Sequence, residues 1–215
     1  MSALIRYFLS KGKLVAGYDK TPSDLTKQLN EEGALIHYDD NVDLIPEVCR
    51  NPLETLVVYT PAVPSTHTEL SYFQSAGFEV MKRARVLGEI TGCTRGLCVA
   101  GTHGKTTTSS MIAHLLKQSH VGCNAFLGGI LKNYDSNLLL SETSDLTVIE
   151  ADEYDTAFCD KRSKFVHYHP RTAILNNLEF DHADIFADLA AIETQFHHLV
   201  RPLPASGLIV SNAQD

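Results

Sequence analysis

The chain has 215 residues, 44% hydrophobic and 20% charged, with Lys+Arg 18 against Asp+Glu 26 and a net charge of −8. That length can bury a sizeable core in one large or two smaller domains, and the acidic balance argues against a general polyanion binder, so nucleic acid is not an expected partner. Five cysteines, at 49, 93, 98, 123 and 159, are odd in number, scattered and without a C-x-x-C pair, which suits reduced thiols in a cytoplasmic protein.

Residues 2–11 read as a helix; Arg6 interrupts the short apolar run and no small-residue cleavage site follows, so the opening is neither a signal peptide nor a membrane span. A strand at 13–18, a helix at 22–32, a strand at 34–38 and a short acidic helix near 40–46 come next. The buried-type strand 55–59 stops at Thr60-Pro61-Ala62-Val63-Pro64, and a helix at 66–76, a strand at 78–81 and a helix at 84–91 complete a first α/β unit. This unit opens on a helix, with no preceding strand and no G-x-G-x-x-G turn, although a Rossmann-like half normally begins with both. The pattern predicts an α/β chain: a Rossmann-like unit over 1–92 lacking its first strand, as in a chain that starts internally, joined near Gly92 to Gly96 to a second unit over 93–215 with a largely parallel sheet.

The second unit begins with Leu97-Cys98-Val99-Ala100 running into Gly101-Thr102-His103-Gly104-Lys105-Thr106-Thr107-Thr108. A buried strand that ends in a Gly-containing turn and opens into a helix aims several backbone N–H groups, and the positive end of the helix dipole, at one spot. Triphosphate fits there, with Lys105 on the outer phosphates and the Thr106 hydroxyl on Mg²⁺. The usual first glycine of such loops falls on Val99, and the extra glycine is instead Gly101. The following helix is expected to turn Met111, Ile112, Leu115 and Leu116 to one face.

Leu146-Thr147-Val148-Ile149 is an apolar strand ending on Glu150-Ala151-Asp152-Glu153-Tyr154-Asp155, where four carboxylates fall within six residues. Such a cluster needs cations or hydrogen bonds to offset its repulsion, and beside a phosphate loop the natural cation is Mg²⁺, with Glu150 as the first acid after the strand. The strand Thr172-Ala173-Ile174-Leu175 runs into Asn176-Asn177-Leu178-Glu179-Phe180-Asp181-His182-Ala183-Asp184, which adds His182 to the candidate metal ligands. His167, His169 and the pair His197-His198 share no zinc spacing with a cysteine, His197 and His198 read as helix-surface or packing residues, and Asp160 to Lys164 reads as a solvated loop. A last strand covers 207–212.

Four ordered motifs, G-T-H-G-K-T-T-T at 101–108, F-L-G-G at 126–129, V-I-E-A-D-E-Y-D at 148–155 and N-N-L-E-F-D-H-A-D at 176–184, resemble those of the Mur ligases over nearly the whole chain. The resemblance implies an ATP-dependent enzyme of peptidoglycan synthesis that activates the carboxylate of UDP-N-acetylmuramate as an acyl phosphate. It also implies a UDP-sugar domain at 1–92, part of a central ATP-binding domain at 93–215, and a third, amino-acid-binding domain that is not represented, so that independent activity of these residues is not expected. Residues 1 to about 150 resemble the members that add L-alanine, and residues from about 154 resemble those that attach the tripeptide L-alanyl-γ-D-glutamyl-meso-diaminopimelate. A noncatalytic nucleotide-binding remnant and another phosphate-loop ATPase or kinase stay open beside these. By the same resemblance Lys105, Glu150 and His182 are catalytic, Gly101, Thr102, His103, Gly104, Lys105, Thr106, Thr107 and Asn177 bind ATP, and Thr106, Glu150 and His182 hold Mg²⁺. Thr60, Pro61, His103, Gly128 and Gly129 are then the contacts to the sugar nucleotide.

Overall fold

The computed structural model describes residues 1–151, 167–179 and 188–212, and the chain divides into two compact units, Met1–Arg83 and Ala84–Asp215. In the first unit α1 (Ser2–Ser10), β1 (Ala16–Tyr18), α2 (Asp24–Glu31), β2 (Leu35–His37), β3 (Leu56–Tyr59), α3 (Thr68–Ser75) and β4 (Glu79–Lys82) follow the expected alternation. Helix α2 starts where it does because Ser23 and Thr26 form a capping box: the Thr26 N–H donates to Ser23 Oγ at 3.2 Å and the Ser23 N–H to Thr26 Oγ1 at 2.9 Å. The strands form two separate parallel pairs, β1 with β2 and β3 with β4. The acidic stretch expected as a helix near 40–46 is instead two single 3-10 turns, Val42–Leu44 and Glu47–Cys49. Pro46 lies between them, and a proline disfavours helical geometry at the residue before it.

The second unit holds α4 (Arg83–Gly92, of which Arg83 closes the first unit), β5 (Arg95–Ala100), α5 (Lys105–Gln118), β6 (Asn124–Leu131), β7 (Ser136–Leu139), β8 (Leu146–Glu150), β9 (Thr172–Leu175), α6 (Leu189–Val200) and β10 (Leu208–Ser211). Its sheet runs β10-β9-β5-β8-β6-β7, parallel throughout except for β7, which lies antiparallel to β6 at the edge. Cys98, Val99 and Ala100 of β5 and Val148 and Ile149 of β8 are buried, as central parallel strands covered on both faces require. After β5 the chain crosses through α5 to the β6–β8 side, and later returns to place β9 and β10 on the other. The carboxyl end of β5 is therefore a topological switch point, where open α/β sheets bind ligands.

Helix α5 departs from its expected facing. Ile112 and Leu116 pack with buried Ala113 on the sheet, but Met111 and Leu115 are exposed, and Ser109 is fully buried in their stead. Small residues at 109 and 113 let the helix lie close on β6 and β8. Among the described residues, no helix is long and apolar enough to cross a membrane.

Burial pushes the Cys98 thiol far up, and lifts Cys123 to about 11, whereas Cys93 is exposed. Thiolate, not thiol, is the reactive form. Treatment of the native chain with iodoacetamide at pH 8 should therefore modify Cys93 and leave Cys98 and Cys123 unlabelled, read by peptide mass spectrometry; rapid labelling of Cys98 would contradict this sheet.

Candidate functional site

Gly101 to Gly104 form the turn between β5 and α5. Gly101 adopts φ +137 and Gly104 φ +77, backbone regions that favour glycine. A Cβ on Gly101 would also lie 2.9 Å from Asn176 Cβ and 3.1 Å from the Asn177 backbone nitrogen, so the turn fits against the segment leaving β9 only without one. That segment holds the loop throughout. The Thr102 N–H donates to the Asn177 carbonyl at 3.1 Å and the His103 N–H to Asn177 Oδ1 at 2.9 Å. Asn176 Nδ2 donates to the His103 carbonyl (3.2 Å) and to Thr108 Oγ1 (3.1 Å), while Thr102 Oγ1 lies 3.0 Å from both the carbonyl and the N–H of Glu179.

Gly104 caps α5 with no side-chain hydrogen bond, so the positive end of this 14-residue helix carries no protein acceptor from a capping side chain. Lys105 lies back over the turn, its Nζ donating to the carbonyls of Gly101 (2.7 Å) and Thr102 (3.2 Å). A lysine can exchange carbonyl acceptors for phosphate oxygens, which bind it more strongly because they are charged. Thr107 is exposed on the first turn of α5, and the His103 side chain is exposed, its Nε2 4.0 Å from Glu179 Oε2.

Glu150, the last residue of β8, reaches the first turn of α5. Thr106 Oγ1 donates to its Oε2 at 2.8 Å, and Ser109 Oγ (3.1 Å) and the Gly128 N–H (2.6 Å) donate to its Oε1. Sequence reasoning found Thr106 and Glu150 but missed Ser109, whose type is unremarkable in a Thr/Ser-rich helix start. It also missed Asn176 and Glu179 as supports of the loop. Of Gly128 and Gly129, expected against a sugar nucleotide, β6 places the first against this carboxylate and the second against Thr106: a Cβ on Gly128 would meet Glu150 Oε2 at 2.7 Å, and one on Gly129 would meet Thr106 Cγ2 at 3.2 Å.

Thr60 and Pro61 follow β3 in the first unit, in a turn closed by the Val63 N–H donating to the Thr60 carbonyl at 3.1 Å. His182, with Asp152, Glu153 and Asp155, lies outside the described residues. Among the described residues no group of three or more His, Cys, Asp and Glu gathers as a metal cage. The oxygen pair Thr106 and Glu150 nevertheless fits Mg²⁺, which takes one or two carboxylates and completes its shell with phosphate and water oxygens.

Residues 99–215 match the Mur ligase middle domain, and residues 1–93 match the Mur ligase family catalytic domain. The chain belongs to the Mur ligase family. It is 65% identical over 206 residues to the UDP-N-acetylmuramate–L-alanine ligase of Parabacteroides distasonis, covering 94% of this chain and 43% of that protein. It is 53% identical over 210 residues to the enzyme of the same name from Porphyromonas gingivalis, covering 98% and 44%. The chain thus spans less than half the length of these curated relatives. Among solved Mur ligase structures, the UDP-N-acetylmuramate:L-alanyl-gamma-D-glutamyl-meso-diaminopimelate ligase from Neisseria meningitides superposes with TM-score 0.88 at 39% identity, over 100% of this chain and 68% of that one. The UDP-N-acetylmuramate-alanine ligase from Thermotoga maritima gives TM-score 0.77 at 26% identity, over 100% and 47%.

The two glycines of β6 should respond differently to alanine. Gly→Ala gains about 0.4–1 kcal/mol through the unfolded chain, but at 128 the new Cβ displaces a carboxylate whose charged hydrogen bonds contribute about 1.5–3 kcal/mol each. In urea denaturation Gly128→Ala should lose about 1–3 kcal/mol, the range for overpacking, while Gly129→Ala stays near neutral. Equal stability of the two variants would refute the close packing of Gly128 on Glu150.

Proposed function

We propose that this chain carries the nucleotide-binding part of an ATP-dependent ligase that joins L-alanine to the carboxylate of UDP-N-acetylmuramate in peptidoglycan biosynthesis. The supporting observation is the meeting of Thr106 and Glu150, 2.8 Å apart, beside a turn shaped for phosphate at the switch point of the sheet. Relatives named for L-alanine match across the stretches before 150 and after 154 alike, which favours L-alanine over the tripeptide as the incoming amine.

On this reading the ATP phosphates lie along the turn from Gly101 to Lys105 and the start of α5, with Thr107 and Asn177 at its margins. Lys105 leaves the Gly101 and Thr102 carbonyls for the outer phosphates. An oxygen of the muramoyl carboxylate, guided by His103, attacks the γ-phosphorus. The bond to the bridging oxygen breaks with its electron pair leaving on ADP, and an acyl phosphate results. The amine of L-alanine then attacks the carbonyl carbon, inorganic phosphate departs, and the amine's proton passes to solvent. Phosphoryl transfer depends on positioning and charge neutralisation more than on covalent help, so Lys105 is the main contribution of the chain. Thr106 and Glu150, with His182 for a second ion, are the residues we assign to Mg²⁺, which when bound neutralises phosphate charge.

Titration calorimetry with a non-hydrolysable ATP analogue and Mg²⁺ tests the reading. The unmodified chain should bind it, and Lys105→Ala should weaken binding by about 10- to 100-fold, the size of a lost hydrogen bond between charged groups; unchanged affinity would reject the assignment of Lys105. A parallel titration with UDP-N-acetylmuramate separates the ligase from a general phosphate-loop ATPase, which would bind the analogue alone.

A further inference from the structure

We propose that Ser109 is a positioning residue: together with the Gly128 N–H it fixes one oxygen of Glu150 so that the other is presented, in the right rotamer, to a divalent cation. The inference rests on the metal and nucleotide reading above, and extends it to a residue that touches neither.

The two carboxylate oxygens have different surroundings. Oε1 receives the Gly128 N–H at 2.6 Å and Ser109 Oγ at 3.1 Å, and Ser109 is completely buried. Among the described residues, Oε2 receives only the hydroxyl of Thr106, an exposed residue at the mouth of the turn. A cation that takes Thr106 Oγ1 and Glu150 Oε2 as ligands needs the Thr106 hydrogen to rotate away, since the oxygen must offer a lone pair. It needs nothing of Oε1. The Ser109 and Gly128 bonds can persist through metal binding, whereas the Thr106 bond is the one replaced.

Ser109 has one hydroxyl hydrogen and two acceptors within reach, Glu150 Oε1 and the Thr106 carbonyl, each at 3.1 Å. The ionised carboxylate is the stronger acceptor, so the hydrogen favours Glu150. The alternative, bonding back to the carbonyl three residues earlier, is open to any serine in a helix and would leave Oε1 of Glu150 held by the Gly128 amide alone. Burial keeps water from substituting for the hydroxyl. The helix therefore contributes two hydroxyls, one turn apart, to the two oxygens of one carboxylate: Thr106 on the exchangeable side and Ser109 on the fixed side. Hydrogen bonds of this second kind, made to a ligand rather than to the metal, typically alter metal affinity by 10- to 100-fold.

The test compares Ser109→Ala, Ser109→Cys and Glu150→Gln in the full chain, measuring Mn²⁺ affinity by electron paramagnetic resonance in the presence of a non-hydrolysable ATP analogue. Affinity for the analogue in EDTA and the thermal midpoint are measured alongside. Alanine suits a buried helical position and cysteine keeps the volume with a weaker donor. Ser109→Ala should weaken Mn²⁺ binding about tenfold and Ser109→Cys by less, with analogue affinity in EDTA within twofold of the unmodified chain. If Glu150→Gln weakens Mn²⁺ binding while both Ser109 variants stay within twofold of the unmodified chain, the positioning role is overturned and the metal reading stands. If Glu150→Gln has no effect, or the unmodified chain takes up no Mn²⁺, the metal reading itself fails and the role of Ser109 fails with it. An equal loss of analogue affinity in EDTA would mark Ser109 as merely structural and also overturn the proposal.

Discussion

A carboxylate at the end of a central strand is expensive to place unless donors surround it, and the second unit is organised around placing one. Glu150 leaves β8 at the level where α5 begins, and its oxygens are met from the helix by Thr106 and Ser109 and from β6 by the Gly128 amide. Each donor depends on a backbone approach that a larger residue would block. A Cβ at 128 would strike the carboxylate, and α5 comes near enough only because Ser109 and Ala113 are small and fully buried. The order of the sheet follows the same need, since β8 must lie between β5, which feeds the helix, and β6, which brings the amide.

The turn at 101–104 is governed from the other neighbour of β5. Asn176, Asn177 and Glu179, just beyond β9, hold the backbone of Thr102 and His103 and the hydroxyl of Thr102. The turn is thus fixed from the β9 side and the Glu150 carboxylate from the α5 and β6 side. Lys105 reaches back across the turn from the first position of the helix to the carbonyls of Gly101 and Thr102. A preorganised array of this kind is what electrostatic stabilisation of a transferring phosphoryl group requires, because the donors need little rearrangement when charge develops.

Much of this was legible before any coordinates. The strands at 56–59, 97–100, 146–149 and 172–175 announce themselves by apolar runs that stop at polar residues, and in the second unit the residues just past three of them, Gly101 to Lys105, Glu150 and Asn176 to Glu179, form the candidate site. Strands β6 and β7 were not legible: Phe126-Leu127-Gly128-Gly129 places two glycines where a strand should be β-branched, and Ser136 to Leu139 shows no alternation. The facing of α5 was misread for a related reason. Periodicity weights large apolar residues, and this helix exposes Met111 and Leu115 while burying a serine whose value lies in a hydrogen bond and in its small size. Ser109 carries no mark of its own in the sequence; only the meeting of α5 with β8 gives it a partner.

The turn at 101–104 and its supports are far apart along the chain, Thr102 and Glu179 being separated by 77 positions. Contacts of that span are slow to form, because the loop between them must close before any bond repays the loss of freedom. On the ribosome the turn is made well before the residues that shape it; at about 5–20 residues per second the delay is roughly 4–15 s. During that interval β5 and α5 can exist while the turn between them has no fixed form. The form of the turn is therefore acquired late in the life of the nascent chain, on the docking of β9 rather than on synthesis of the glycine turn itself.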